Sequence, residues 1–193
     1  MITAMRNLVF IRHSVSQPEE NVPAQLWALS LEGRRRCKPL AEYLTAYNLD
    51  RIVSSSEVKA IETGELAAMR LEIPCQAAED LHEHERDTAP YFDTQADFQQ
   101  AVTRLFDNPT ELVFGEETGL QAQTRFTMAV ESVMRANPRE NIAIVTHGTV
   151  LSLFASQYTD MEIQPFWQGL GMPAIVAFSY PEMMLIAQVN EID

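Results

Sequence analysis

Two histidines in this sequence each follow a short run of apolar residues. His13 comes directly after Val9-Phe10-Ile11-Arg12, and His147 comes after Ile144-Val145-Thr146. Such runs are typical of buried parallel strands, whose carboxyl ends share the sheet edge at which α/β proteins bind ligands. A neutral imidazole can attack phosphorus, and an arginine such as Arg12 can hold phosphoryl oxygens with two donors. The two histidines together therefore predict a site for phosphoryl chemistry.

Two neighbouring positions fit the same chemistry. Gly148 would let the backbone approach a ligand closely, and a helix that begins at about Thr149 would point N–H groups towards an anion. Lys59 lies about one turn into a helix that follows a second short strand, which predicts a cation near the same edge. These positions predict a phosphate pocket made of Arg12, Lys59, His147 and Gly148.

The segment from Glu79 to Asp87 is dense in titratable groups, which places it in a loop or at a strand end. A carboxylic acid that burial or nearby anions keep protonated can donate a proton to a leaving alkoxide, and Glu83 is the candidate. His84 and Arg86 from this segment, and Ser14 beside His13, are candidates for the wall of the substrate pocket.

The elements that must position these residues alternate between strand and helix along the chain. This alternation predicts an α/β fold: a three-layer sandwich with a mostly parallel central sheet and helices on both faces, in one domain over 1–193. Thr118 is a candidate helix cap. The predicted strands are Asn7–Ile11, Ile52–Val53, Asn141–Thr146 and two within Ala174–Val189, and the predicted helices run from Ser30 to about Tyr47, from Glu57 towards Pro74, from Gln95 to Phe106, from Leu120 to Ala136 and after Gly148.

In order along the chain, these segments resemble the histidine phosphatase superfamily, the group that includes the cofactor-dependent phosphoglycerate mutases. The resemblance covers nearly the whole chain. The matching residues are Arg12-His13, Leu29-Ser30 with Gly33, Ser54-Ser55 with Lys59-Ala60 and Thr63, Leu81 with Glu83, and Thr146-His147-Gly148.

The resemblance implies a role for each catalytic residue. His13 would become the phosphohistidine, while Arg12, Lys59 and His147 would hold the phosphoryl oxygens. Glu83 would protonate the leaving group and then activate water. No metal and no cofactor are implied.

The sequence departs from the family pattern at two of these positions. Ser14 stands where the family usually has glycine, and Lys59 stands where it usually has arginine, which loses the two-pronged donor. No second basic cluster is evident apart from Arg34, Arg35 and Arg36, which are expected on a helix surface. A mutase-type phosphotransferase has to retain a bisphosphate and therefore needs contacts to a second anionic group. The absence of a second basic cluster thus favours a phosphatase for a small phosphomonoester.

Composition restricts the partners. The formal net charge is −13, which repels nucleic acid and anionic membranes and favours a small phosphorylated metabolite. The sequence lacks a signal peptide and a long apolar segment, so a cytoplasmic protein is expected. The oligomeric state stays open.

Two alternatives stay open. A metallohydrolase could use the four histidines His13, His82, His84 and His147, and a non-catalytic phosphate-binding module could share the fold. Substrate specificity is expected in the loops 14–28 and 85–98. Aromatic residues of these loops that could line the pocket are Trp27, Tyr91 and Phe92. Trp167, which lies outside both loops, is a further candidate.

Overall fold

The computed structural model describes residues 5–89, 92 and 94–193, and Tyr91 lies outside them. Six strands and six α-helices are present in the described residues. The strands are β1 Arg6–Arg12, β2 Arg51–Ser54, β3 Cys75–Ala77, β4 Ile142–Thr146, β5 Ala174–Tyr180 and β6 Leu185–Val189. The helices are α1 Leu31–Leu44, α2 Val58–Leu71, α3 Gln95–Asp107, α4 Gly119–Ala136, α5 Gly148–Ala155 and α6 Ile163–Gly169.

The strands form one sheet in the order β3-β2-β4-β1-β5-β6. The first four are mutually parallel, while β5 and β6 are antiparallel to their neighbours. The predicted mostly parallel sheet is therefore confirmed. Its register pairs Arg12 with Thr146 and Ser54 with Val145, so the residues that follow β1, β2 and β4 meet at one edge.

Apolar side chains cover both faces of the sheet, as the predicted three-layer arrangement requires. Alternate residues of β1 point to opposite sides, because successive side chains of a strand do so. Phe10 packs with α4 and α5 on one face, and Val9 and Ile11 pack with α1 and α2 on the other. The sheet is thus buried on both faces, and only its edges and ends can present polar groups.

The helix starts follow the capping residues in the sequence. The Ser30 side chain accepts a hydrogen bond from Gly33 N at the start of α1, and Thr118 forms a capping box with Gln121 at the start of α4. α2 ends at Leu71, three residues before Pro74, because Glu72 adopts the left-handed conformation. Among the described residues, none of the helices combines the length and apolar character that crossing a bilayer requires.

Candidate active site

A cavity of about 350 Å³ lies at the carboxyl ends of β1, β2 and β4. The structure brings together there most of the residues that the sequence analysis selected. Those on the cavity wall are Arg12, His13, Lys59, Glu83, His84, Arg86, His147 and Gly148, together with Trp27 and Trp167. The loop 14–28 and the described part of 85–98 also line it.

His13 follows the last residue of β1 and is almost fully buried. Its Nδ1 lies 2.7 Å from the carbonyl oxygen of Ser14, which can only accept, so Nδ1 carries the proton. The lone pair is then on Nε2. Burial, followed by the charges of His147, Lys59 and Arg12, lowers the pKa of His13 well below its usual value. His13 is therefore a neutral imidazole with a nucleophilic Nε2 at neutral pH.

His147 faces His13, with 5.1 Å between the ring centroids. Its Nε2 is 2.9 Å from Ser55 Oγ and 3.3 Å from Glu57 Oε1, whereas its buried Nδ1 has no partner among the described protein atoms. Burial lowers the pKa of His147 to about 4, although Glu57 and Glu83 act in the opposite direction. The ring is thus held by one nitrogen, and the other is free for a ligand.

Three cations line the cavity, and they are not equivalent. Arg12 donates from Nη1 to the carbonyl of Leu170, and its Nε has no partner among the described protein atoms. The Arg86 guanidinium lies 4.9 Å from the ring centroid of Phe98. Lys59, by contrast, donates to Ala24 O at 2.8 Å and forms an ion pair with Glu57. Lys59 is thus ion-paired with a buried carboxylate in the protein alone, and its role as a phosphate-binding cation stays a prediction.

Glu83 lies against the N-terminus of α5. Its carboxylate accepts hydrogen bonds from Thr149 N and Val150 N at 3.1 Å each, and from His84 N at 2.9 Å. Burial raises the pKa of Glu83, but Arg86, His147 and these backbone N–H groups outweigh it, and the pKa falls far below its usual range. Burial alone therefore does not keep Glu83 protonated, and its role as the acid stays a prediction that depends on a nearby anion. A proton on this carboxyl requires an additional anion beside it.

Ser14 does not border the cavity, contrary to expectation. Its backbone N–H donates to Thr63 Oγ1 at 3.0 Å, and its hydroxyl donates to Gly33 O at 2.8 Å. The side chain is fully buried between β1 and α1. Ser14 thus fixes the backbone that follows His13, through its contacts with Gly33 and Thr63.

A second layer of contacts holds the loop that carries Glu83. Arg125 of α4 donates to the carbonyls of Asp80, His82 and Glu83 and forms an ion pair with the buried Glu117. Glu117 in turn accepts the backbone N–H of Glu85 at 3.0 Å. The sequence analysis assigned no site role to this pair, because it acts through backbone groups.

The four histidines do not form one cluster. His84 Nε2 is bonded to Glu117 O at 2.8 Å and its ring packs on Phe114, while His82 pairs with Glu85. Within 5–89, 92 and 94–193, no group of three or more His, Cys, Asp or Glu residues is arranged to hold a metal ion. The proposed metallohydrolase site therefore gains no support from these residues.

Comparisons with known proteins identify the family and the fold. The family model of the histidine phosphatase superfamily (branch 1) matches residues 8–180. A comparison with curated proteins gave no match. Among solved structures, a mycobacterial glucosyl-3-phosphoglycerate phosphatase is similar over 98% of both chains, with a TM-score of 0.70 and 19% identity.

Two further structures are similar to a comparable extent. Bacillus stearothermophilus YhfR matches 95% of this chain and 96% of its own, with a TM-score of 0.70 and 22% identity. A variant of Entamoeba histolytica phosphoserine phosphatase, solved with phosphoserine, matches 95% of this chain and 96% of its own, with a TM-score of 0.72 and 16% identity. At these identities the likeness concerns the fold.

Proposed function

Since the chain belongs to the histidine phosphatase superfamily (branch 1), we propose that it is a phosphatase that hydrolyses a small phosphomonoester through a phosphohistidine at His13. One observation carries the proposal. The hydrogen bond from His13 Nδ1 to Ser14 O leaves a neutral Nε2 lone pair in a cavity that His147, Arg12 and Arg86 also line. A nucleophile, anion-binding donors and an acid are all needed for phosphoryl transfer without a cofactor.

In the first step, His13 Nε2 attacks phosphorus and the bond from phosphorus to the ester oxygen breaks. Arg12, Arg86 and His147 stabilise the negative charge on the phosphoryl oxygens. The leaving oxygen takes a proton from Glu83. The substrate's own dianion enables this step, because an anion beside a carboxylate raises its pKa.

In the second step, water attacks phosphorus and the bond from phosphorus to Nε2 breaks. Glu83, now ionised again, accepts the proton of the water. Inorganic phosphate leaves and the neutral His13 is restored. The bonds that hold Glu83 on the N-terminus of α5 keep the same carboxyl in place for both steps.

The charges in the cavity favour a phosphatase over a mutase. A mutase has to retain a bisphosphate, which needs a second cationic group for the distal anion. The arginines of α1 are instead paired on the surface. Arg34 forms an ion pair with Glu62. Arg36 forms ion pairs with Glu32, Glu191 and Asp193. Two of the similar solved structures are a glucosyl-3-phosphoglycerate phosphatase and a phosphoserine phosphatase, which supports a small metabolite as the substrate.

Phosphoenzyme trapping tests the proposal. The purified protein is given a ³²P-labelled aryl phosphate and quenched in alkali, where phosphohistidine is stable. We expect label that is lost in acid, and none on His13→Ala. His82→Ala, which changes a partly exposed histidine, should still be labelled. Turnover without acid-labile label would contradict the mechanism.

Two further measurements separate the alternatives. Turnover that a chelator abolishes and zinc restores would favour a metallohydrolase. Binding of inorganic phosphate without turnover of any ester would favour a binding module. Under the proposal, activity survives the chelator and turnover accompanies binding.

A further inference from the structure

Glu57 is a buried carboxylate on the cavity wall that the mechanism above does not use. It is the N-cap residue of α2 and is only 8% exposed. Its Oε2 pairs with Lys59, and its Oε1 accepts the backbone N–H of Glu83 at 2.9 Å. The same Oε1 lies 3.3 Å from His147 Nε2. Glu57 therefore joins Lys59 to two residues of the proposed mechanism, Glu83 and His147.

The contact with Glu57 decides which nitrogen of His147 carries the proton. Ser55 Oγ alone would leave both tautomers open, since a hydroxyl can donate or accept. A carboxylate oxygen can only accept, so a lone pair on Nε2 would face the lone pairs of Glu57 Oε1. The stable neutral form consequently has its proton on Nε2, shared between Ser55 and Glu57. The lone pair is then on Nδ1.

Nδ1 is the nitrogen left for a ligand. It is buried, has no partner among the described protein atoms, and belongs to a side chain that lines the cavity opposite His13. Phosphoryl oxygens are acceptors, so they cannot bond to a nitrogen lone pair. Only a protonated Nδ1 can meet them. Because Glu57 keeps the proton on Nε2, this requires a ring with protons on both nitrogens.

We propose, on the premise of the function proposed above, that Glu57 is a positioning residue that makes His147 bind the phosphoryl group only as an imidazolium, so that each binding event takes up a proton from solvent. Glu57 supplies the acceptor for the Nε2 proton in both states of the ring. The substrate anion supplies the acceptor for the new Nδ1 proton. The protonated ring would then lie between two anionic groups.

The charges around His147 give the direction of the pH dependence. Two carboxylates face the ring, Glu57 from the start of α2 and Glu83 from the loop before α3. Lys59, Arg86 and the ring of His13 act against protonation. A bound dianion adds negative charge and raises the pKa of His147 from its value of about 4 in the protein alone. Affinity for a dianion should thus fall as pH rises, and removal of the Glu57 charge should move that fall to lower pH.

Sulfate is the suitable probe, because it stays a dianion throughout the range and cannot itself supply the proton. Calorimetric titrations in two buffers of different ionisation enthalpy give the protons taken up per sulfate. ¹⁵N NMR of histidine-labelled protein, assigned with His147→Asn, shows which nitrogen is protonated. We expect an Nε2–H tautomer of His147 before sulfate and protons on both nitrogens after it. At neutral pH the parent should take up about one proton more than His147→Asn, because Glu83 can take up a proton in both proteins.

Glu57→Gln keeps the shape and removes the charge. We expect it to lower the proton uptake at His147 at pH 7 and to move the loss of sulfate affinity with rising pH to lower pH. These shifts are the readout, because the substitution also releases Lys59 from its ion pair and thereby changes the absolute affinity. Glu62→Gln is the matched control, because Glu62 lies on the same helix but pairs with Arg34 away from the cavity. The control should bind sulfate as the parent does.

Two results would overturn the proposal: an Nδ1–H tautomer of His147 before sulfate, or His147 signals that do not change on its addition. Equal affinities and equal pH profiles for Glu57→Gln and the parent would do the same. These readouts need no turnover. A protein that hydrolyses no ester would refute the proposed function, whereas an active phosphatase without proton uptake at His147 would refute only the role of Glu57.

Discussion

Gly148 shows how tightly the residues of the proposed phosphate site are packed. A β-carbon at this position would lie 3.2 Å from both Cζ and Nε of Arg12 and 3.3 Å from Nε1 of Trp167. Gly148→Ala should therefore displace the Arg12 guanidinium and lower kcat/KM by at least about tenfold, because a fixed cation on the transferring group is lost. Thermal denaturation should change little, since alanine suits the first turn of a helix.

Gly169→Ala is the matched control for this substitution. It lies at the end of α6, and its β-carbon would meet only Asn190 Nδ2, at 3.7 Å. Kinetics of both variants with an aryl phosphate make the comparison. Equal activity of Gly148→Ala and the parent would show that the guanidinium of Arg12 does not need its present position.

The buried imidazoles should also make stability depend on pH. The folded protein lowers the pKa values of His13 and His147 below the usual 6.5, that of His147 to about 4. As pH falls, the unfolded chain binds these protons first. The contribution to stability is complete above about pH 6.5 and is lost towards pH 4, at up to about 1.4 kcal/mol per pH unit for each proton.

Urea denaturation at pH 7, 6 and 5 measures this dependence. His147→Asn should flatten the decline, because it removes one of the titrating groups. A free energy of unfolding that stays constant between pH 7 and 5 would argue against buried neutral rings.

At the scale of elements, α4 holds the loop that carries Glu83. Arg125 reaches three carbonyls of that loop and pairs with Glu117, whose side chain is only 8% exposed. Arg125→Met should cost about 3 kcal/mol of stability, because it leaves a buried carboxylate without its partner. It should also lower kcat, since the position of Glu83 depends on this contact.

Arg135→Met provides the comparison for this prediction. Arg135 lies on the same helix, but its pair with Glu131 is exposed on the surface. We expect a loss of less than about 0.5 kcal/mol and unchanged kinetics. Chemical denaturation and steady-state kinetics of both variants are sufficient. Similar losses of stability in the two variants would mean that the contacts of Arg125 with the loop and with Glu117 contribute little.

The same elements show why some features could be predicted from the sequence. β1 and β4 are continuous apolar runs, and two parallel neighbours in register must bring His13 and His147 together. Helices α3 and α4 follow from their caps and spacing to within one residue. Helix α6 was not predicted, because it has only seven residues and contains a proline.

The finer parts of the site depend on contacts between segments distant in the sequence. Glu57, Glu83 and His147 lie in three separate segments of the sequence and are in contact only in the folded protein. The sequence of any one segment does not indicate these contacts. Ser14 was predicted to line the pocket because it follows His13. Its hydroxyl instead donates a hydrogen bond to the carbonyl of Gly33. Spacing along the chain could predict which residues lie near the cavity, but not which hydrogen bonds and ion pairs they form there.

At the scale of the whole molecule, the chain is acidic, with a formal net charge of −13, and the cavity nevertheless includes Arg12 and Arg86 on its wall. Three exposed acids, Glu85, Asp87 and Glu116, line a neighbouring cavity that shares part of this wall, and together they are called the acidic mouth. A phosphoryl group beside the two arginines would thus leave the alcohol part of the substrate near these acids.

This arrangement predicts discrimination by the charge of the alcohol part of the substrate. Ethanolamine phosphate, glycerol 3-phosphate and 3-phosphoglycerate have similar sizes and carry an ammonium, a neutral and a carboxylate group. We expect the carboxylate ester to have the lowest kcat/KM, by about tenfold against the neutral one, because the acids at the mouth repel it. Raising the salt from about 0.02 M to about 0.5 M should narrow the difference, since salt screens exposed charges.

The double variant Glu85→Gln with Asp87→Asn tests whether the mouth is responsible. It should raise kcat/KM for 3-phosphoglycerate and leave that for glycerol 3-phosphate nearly unchanged, because a neutral group has no charge for the acids to repel. Glu32→Gln with Glu42→Gln, on the exposed surface of α1, removes the same net charge elsewhere. If that control changed the selectivity equally, the overall charge would be the cause. If 3-phosphoglycerate were the best substrate of the parent, the acidic mouth would not select substrates at all.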